Sequence, residues 1–333
     1  MKPVKLAYIG AGGIAQSHLR AISDVDEIEV VAVADLIRAR AEETAERGGL
    51  PHAYQDYQEM LTKEDIEAVS VCTYNQAHRA PTVDALHAGK HVLVEKPMAA
   101  TLEDAAAMTQ AAHETGNLLM VAVWTRFSPL RQAAKAIVDA GTLGDIYYAE
   151  TVSARRCGTP GGTFILKETA GLGNTADIGV YCLDEELHLM GYPRPVTVSA
   201  ISNNLLSKKF KPLLGVRHWG GEFSPELLSV EDFGVAFVRF ENGAVLVFKT
   251  CWSMHMDSLG DTFFLGTDAG LKLRPLTVYR HQWSMLTDTA PQSVPPTDPK
   301  VQFRQENVAF AQAIRDGAPS PVPPEELLIT NVI

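Results

Sequence analysis

The chain has 333 residues, 46% of them hydrophobic and 21% charged, a balance that excludes a disordered or fibrous protein and a length that suits two domains. Lys and Arg total 29 against 40 for Asp and Glu, giving a net charge of −11; the largest basic clusters, Arg155-Arg156 and Lys208-Lys209, are too small to face a nucleic acid, so no such partner is expected. No apolar run approaches the ~20 residues of a membrane span, and Met1-Lys2-Pro3-Val4-Lys5 leads into no signal-peptide-like stretch, so no membrane partner and a cytoplasmic location are expected.

Val4–Ile9 reads as a buried strand ending in glycine, Ile14–Ser23 as a helix, Ile28–Ala34 as a β-branched strand and Arg38–Arg47 as a helix. Ala68–Cys72, His91–Val94 and Leu118–Val123 continue as strands, with helices at Ala80–Ala88 and Leu102–Thr115 between them. Strands apolar throughout and separated by helices predict a parallel, doubly wound Rossmann sheet in residues 1–123. After a helix at Ser128–Ala140 the pattern changes. Asp145–Ser153, Val196–Ser202, Phe233–Phe240, Ala244–Thr250, Thr262–Gly266 and Leu271–Leu273 are strand-like, with Glu241-Asn242-Gly243 as a hairpin turn and one convincing helix at Val180–Leu189. Residues 124–333 are therefore expected to form an α+β domain with a large, mostly antiparallel open sheet, a return of the C-terminal segment to the first domain being left open. Pro291–Pro299 reads as an exposed connection. Pro323-Pro324-Glu325-Glu326 starts a helix that only seven residues follow, so a shortened helix is expected there. Cys72, Cys157, Cys182 and Cys251 are widely spaced, and no metal site is expected.

Gly10-Ala11-Gly12-Gly13-Ile14-Ala15 follows the first strand and opens a helix. Gly10 permits the tight turn, Gly12 lets the backbone approach a pyrophosphate, Ala15 allows close helix-on-strand packing, and the helix N-terminus offers N–H groups to an anion. Asp35 ends the second strand, where a carboxylate accepts both ribose hydroxyls of an adenosine. It repels a 2′-phosphate, so NAD is preferred; Arg38 and Arg40 lie near enough to keep NADP open. The third strand leads into Thr73-Tyr74-Asn75-Gln76-Ala77-His78 and the fourth into Glu95-Lys96-Pro97. Ligands of open α/β sheets bind beyond such strand ends, so Thr73, Asn75, His78, Glu95 and Lys96 are cofactor-site candidates beside Gly10, Gly12, Gly13, Ile14 and Asp35.

Together with Ala88-Gly89-Lys90-His91-Val92-Leu93 and Asp177-Ile178-Gly179-Val180-Tyr181, these segments resemble the oxidoreductase family named for glucose–fructose oxidoreductase and inositol dehydrogenase. Tyr181 stands where most members have histidine, which is similar to the branch holding glucose–fructose oxidoreductase, dimeric dihydrodiol dehydrogenase and some xylose dehydrogenases. The Trp-Arg pair of some members is absent, Thr163-Phe164 standing about there. The resemblance implies a dehydrogenase that moves hydride between nicotinamide and a hydroxyl or carbonyl carbon of a sugar, inositol or related polyol. It implies Lys96 between nicotinamide and substrate, Tyr181 as proton carrier, and Asp177 contacting substrate or orienting that carrier. Arg126, in Trp124-Thr125-Arg126-Phe127, then lines the cleft as a substrate or cofactor contact. Helical spacing alone would put Asp177, Tyr181 and Asp184 on one face. A free tyrosine, with a pKa near ~10, is a poor base until a cation favours its phenolate, and Lys96 supplies one.

Trp252, His255 and Asp257 are read as alternating on one strand, Trp252 as sheet-face packing or a subunit contact and His255 as a further substrate candidate. With Met254 and Met256, that strand predicts an apolar outer sheet face and a homodimer or homotetramer through it. Two rival readings remain on the same scaffold: a glycosidase that oxidises its sugar transiently with tightly held NAD, and a non-catalytic NAD(P)-binding sensor.

Overall fold

The structure is a computed structural model, which describes residues 2–209 and 219–333. The chain divides into two units, one running to Trp124 and resuming at Asp298–Asn331, the other holding Thr125–Thr297 and the last two residues.

The first unit alternates β1 (Val4–Ile9), α1 (Gly13–Ile22), β2 (Ile28–Ala34), α2 (Arg38–Gly48), β3 (His52–Tyr54), α3 (Tyr57–Lys63), β4 (Ala68–Val71), α4 (Arg79–His87), β5 (His91–Glu95), α5 (Leu102–Thr115) and β6 (Leu119–Ala122). Its strands are parallel in the order β3-β2-β1-β4-β5-β6. The order reverses between β1 and β4, which puts a crevice beyond their carboxyl ends. Burial of β4, β5 and β6 on both faces explains their unbroken apolar runs. β3 and α3 escape the sequence pattern because both are short; α3 is marked only by its cap, Asp56, which accepts the Gln58 N–H at 2.8 Å.

The second unit contains α6 (Pro129–Asp139), β7 (Ile146–Ala154), α7 (Lys167–Ala170), α8 (Asn174–Asp177), α9 (Gly179–Met190), β8 (Pro195–Asn203), β9 (Phe233–Phe240), β10 (Val245–Cys251), β11 (Phe263–Gly266), β12 (Gly270–Leu273), β13 (Leu276–Gln282) and β14 (Met285–Thr289). The strands form one sheet, β14-β13-β12-β11-β7-β10-β9-β8, antiparallel except where β10 runs parallel to β7. Alternation sends Ala149, Ala236, Val238, Leu246, Phe248, Phe264 and Leu271 inward, where α9 packs on β7 and β10. Phe237, Val247, Tyr148 and Phe263 face outward with the Lys249–Glu150 ion pair among them.

Three expectations need correction here. β10 ends at Cys251, because the Trp252 N–H turns to the Asp232 carbonyl (2.9 Å); Trp252 is fully buried, and His255, Met256 and Asp257 lie in an exposed loop rather than on a strand. The outer face thus takes its apolar character from β7, β9, β10 and β11. The second correction is α10 (Pro299–Asp316), which starts inside what reads as a proline-rich connection: Asp298 caps the Lys300 N–H at 2.9 Å and Pro299 sits in the first turn. α10 packs on α1 and β1, and α11 (Pro324–Val332) follows it, so the segment from Asp298 to Asn331 belongs to the first unit, the return that the sequence left open. Third, Asp177 closes α8 while Tyr181 opens α9, with a joint at Ile178 between them. Among the described residues no helix is long and apolar enough to cross a membrane.

Candidate active site

Beyond β1 the backbone turns through Gly10 at φ +95°, where a Cβ would sit 2.6 Å from the Cys72 carbonyl oxygen; only glycine fits. Gly12 and Gly13 face open space, and no side chain caps the N-terminus of α1 or places an acid in its first turn. This cradle suits a pyrophosphate, with the backbone of Gly12, Gly13 and Ile14 at the start of the helix. Asp35 closes the loop from β2. Its Oδ2 accepts the Ala11 N–H at 2.9 Å and its Oδ1 the Ile37 N–H at 2.9 Å. Each oxygen keeps a second lone pair for a ribose hydroxyl. Arg40 lies 3.7 Å from Asp35 Oδ2, and Arg38 is paired with Glu42 at 2.7 Å, so both nearby arginines already face acids.

At the end of β4, Thr73 Oγ1 donates to the Ala77 carbonyl at 3.0 Å and Asn75 opens a single 3-10 turn. His78, expected at the cofactor, is a buried bridge, 1% exposed. Its Nδ1 lies 2.9 Å from the Pro97 carbonyl oxygen and its Nε2 3.2 Å from that of Thr73, tying the loops after β4 and β5 together. Burial pushes its pKa down, while those carbonyls favour the protonated form. Glu95 is buried as well, and its carboxylate turns back to the Lys96 N–H (3.1 Å) and to His18 (2.7 Å). From Val92 to Ala100 every residue is buried except Lys96.

The second unit repeats that arrangement. From Ala176 to Leu187 every residue is buried except Tyr181. Gly179 lets α9 start against the sheet, since a Cβ there would meet the Phe248 ring at 2.8 Å. Asp177 is 5% exposed and its Oδ2 accepts the Trp252 indole N–H at 2.8 Å. Trp252 is locked in a core of Ile165, Ile178, Phe223, Leu228 and Val230. Glu231 caps α8 by accepting the N–H groups of Gly173 (2.8 Å) and Thr175 (3.2 Å). Asp184 is not grouped with Asp177 and Tyr181. It holds Arg126 through two bonds of 2.8 and 2.7 Å and accepts the Tyr192 hydroxyl at 2.6 Å. Arg126, expected at the cofactor or substrate, is 6% exposed at its side chain, because a planar guanidinium meets a buried carboxylate best two bonds at a time. His255 lies in the exposed loop after β10.

Sequence reasoning missed Trp252 and Glu231 as supports of the Asp177 turn, and His18 as the partner of Glu95. Only Trp252 carried a signal, as a lone indole that needs an acceptor when buried.

Residues 4–123 match the model of the oxidoreductase family with an NAD-binding Rossmann fold, and residues 131–272 match the GFO/IDH/MocA C-terminal domain. D-glucoside 3-dehydrogenase of Escherichia coli (strain K12) is 35% identical over 283 residues, 83% of this chain and 79% of that protein. The chain belongs to the GFO/IDH/MocA oxidoreductase family. A second relative, trans-1,2-dihydrobenzene-1,2-diol dehydrogenase of Bos taurus, is 34% identical over 53% of this chain and 52% of its own. Among solved structures, levoglucosan dehydrogenase in complex with NADH shares the fold with a TM-score of 0.83 at 21% identity, covering 99% of this chain and 94% of that one. An oxidoreductase domain protein from Kribbella flavida does so with 0.83 at 22% identity, covering 100% and 95%. The glycine loop and Asp35 lie in the part of the chain matched by the family's NAD-binding model, and Asp177 and Tyr181 in the part matched by its C-terminal model.

Proposed function

We propose that this member of the family is an NAD-dependent dehydrogenase of a ring hydroxyl on a sugar, glucoside or related polyol. The observation that carries the reading is that Lys96 and Tyr181 are each the one partly exposed side chain in an otherwise buried run. Bound NAD would supply the hydride acceptor, with its pyrophosphate on Gly10–Ile14 and its adenosine ribose on Asp35. Thr73, Asn75 and Glu95 line that crevice or shape it.

Oxidation of an alcohol releases a proton as well as a hydride. Tyr181 takes the hydroxyl proton, and the Lys96 ammonium both favours the phenolate and hydrogen-bonds the substrate oxygen as negative charge grows there. Asp177, held by the Trp252 indole, orients the α8–α9 turn that carries Tyr181. The 35% identity to a D-glucoside 3-dehydrogenase supports a pyranoside among the substrates. The four free cysteines suit a reducing compartment, and the cytoplasm is the location we propose. The apolar outer sheet face supports a homodimer or homotetramer; light scattering that finds a monomer at micromolar concentration refutes it.

The decisive test offers glucosides, inositols and free aldoses with NAD or NADP and follows reduced cofactor. Tyr181→Phe should lower kcat by about 10²–10⁴-fold with NAD affinity nearly unchanged. A Tyr181→Phe enzyme with undiminished kcat removes Tyr181 as the proton carrier. Failure of the whole panel, with NAD still bound, removes the dehydrogenase.

A further inference from the structure

Lys96 reaches out of a backbone that is tied down on both sides by buried groups. Before it stands Glu95, whose Oε2 accepts the Lys96 N–H at 3.1 Å while Oε1 lies 2.7 Å from His18 Nε2. His18 comes from α1 and is 0% exposed; its other nitrogen, Nδ1, lies 2.8 Å from Asn307 Nδ2 on α10. The Asn307 amide can be oriented from its contacts. Nδ2 also donates to the Phe303 carbonyl at 2.7 Å, and the reversed amide would set oxygen against oxygen there. Asn307 therefore donates to His18 Nδ1, so the imidazole proton sits on Nε2 and is given to Glu95. Phe303 braces the imidazole edge-on, ring centroids 4.9 Å apart. After Lys96, His78 lies 2.9 Å from the Pro97 carbonyl oxygen and 3.3 Å from that of Met98.

We infer that His18 and Asn307, with His78 on the far flank, are positioning residues that fix the height and direction of Lys96. The inference rests on the role given to Lys96 above. A buried imidazole–carboxylate pair is a poor device for stability alone, because taking both groups out of water offsets most of their attraction and apolar residues of similar volume do as well. What such a pair supplies is one defined geometry, and here its last bond ends on the Lys96 peptide. Helix α10 is thereby part of the site's support, although it lies two hundred residues away in sequence.

The test uses the full chain, a D-glucoside with NAD, and four variants: His18→Leu, His18→Gln, Asn307→Leu and Lys96→Met. His18→Leu should lower kcat by about 10–100-fold, the scale of a misplacement near 1 Å, with KM for the glucoside and Kd for NADH (by fluorescence) within about 3-fold. His18→Gln keeps an N–H for Glu95 and an oxygen for Asn307, and should restore kcat to within about 3-fold of wild type. Asn307→Leu should resemble His18→Leu, and it carries the same expectation if His18→Leu does not fold. The inference is overturned if His18→Leu or Asn307→Leu folds and turns over at the wild-type rate, if Gln rescues no better than Leu, or if NADH affinity falls in step with kcat. Lys96→Met separates the two levels. An inactive Lys96→Met beside a fully active His18→Leu removes the brace alone, whereas an active Lys96→Met removes the role of Lys96 and the brace with it.

Discussion

Replacing Asp184 by Asn should unfold the second unit at a markedly lower temperature. Asp184 is 1% exposed at its side chain and accepts three bonds, from Arg126 Nε, from Arg126 Nη2 and from the Tyr192 hydroxyl. Asn keeps one oxygen but turns an NH₂ toward the guanidinium and takes away the buried carboxylate charge that faces it. Breaking one partner of such a pair costs about 3–5 kcal/mol. At about 2–4 °C per kcal/mol for a unit of this size, the midpoint should fall by about 6–20 °C. Scanning calorimetry with NADH present, which holds the first unit's transition up by binding, separates the two units. The double variant Arg126→Met, Asp184→Leu should regain most of the loss, since an apolar pair carries no stranded charge. A melting midpoint unchanged in Asp184→Asn, or an Arg126→Lys enzyme whose only defect is a raised KM, would return Arg126 to the substrate and refute the argument.

Asp35→Asn keeps an acceptor for only one of the Ala11 and Ile37 N–H groups, and it removes the charge that opposes a 2′-phosphate. The affinity ratio should move toward NADP by about 10-fold in fluorescence titrations, and an unmoved ratio takes the ribose from Asp35. Trp252→Phe removes the indole N–H from Asp177 and should cost about 1–3 kcal/mol in urea melts together with part of kcat; an unchanged kcat shows that the bond serves packing only. Glu306, fully buried on α10 with no hydrogen-bond partner for its carboxyl oxygens, is pushed well above the ordinary carboxyl range by burial and then by Glu95. A folded-state pKa raised above the unfolded one means stability present below about pH 4.5 and lost as pH climbs toward the folded value. Glu306→Gln should therefore melt like wild type at about pH 4.5 and above it at about pH 8; parallel curves would mean that Glu306 is not held neutral.

The Rossmann half was legible because its code is local. A strand buried on both faces must be apolar throughout, and Gly10 has a backbone reason that no other residue meets. α10 was not legible because Gln302, Glu306 and Asn307 lie on its buried face and break the apolar stripe by which a helix is read, while Pro295, Pro296 and Pro299 hide its start. The site divided along the same line. Lys96 and Tyr181 sit in segments with recognisable neighbours, whereas the partners that hold the turn at Asp177 and the strand end at Glu95 lie dozens to hundreds of residues away. Spacing along a chain carries no record of such pairs. Arg126 and His78 were legible as polar residues at strand ends but not as buried ones, since burial there depends on Asp184 and on the loop after β5.

The return of α10 to the first unit sets an order of events during synthesis. β1 to β6 leave the ribosome before α10, so the groove along α1 stays uncovered until the second unit has been made. In that interval His18 and Glu95 have each other but not Asn307, and apolar surface destined for Phe303 and Phe310 meets water or a chaperone. A nascent chain halted before Asp298 should therefore be protease-sensitive at α1, and cofactor added at that stage should find its loop poorly formed. Completion of the first unit would thus wait for α10 to be made.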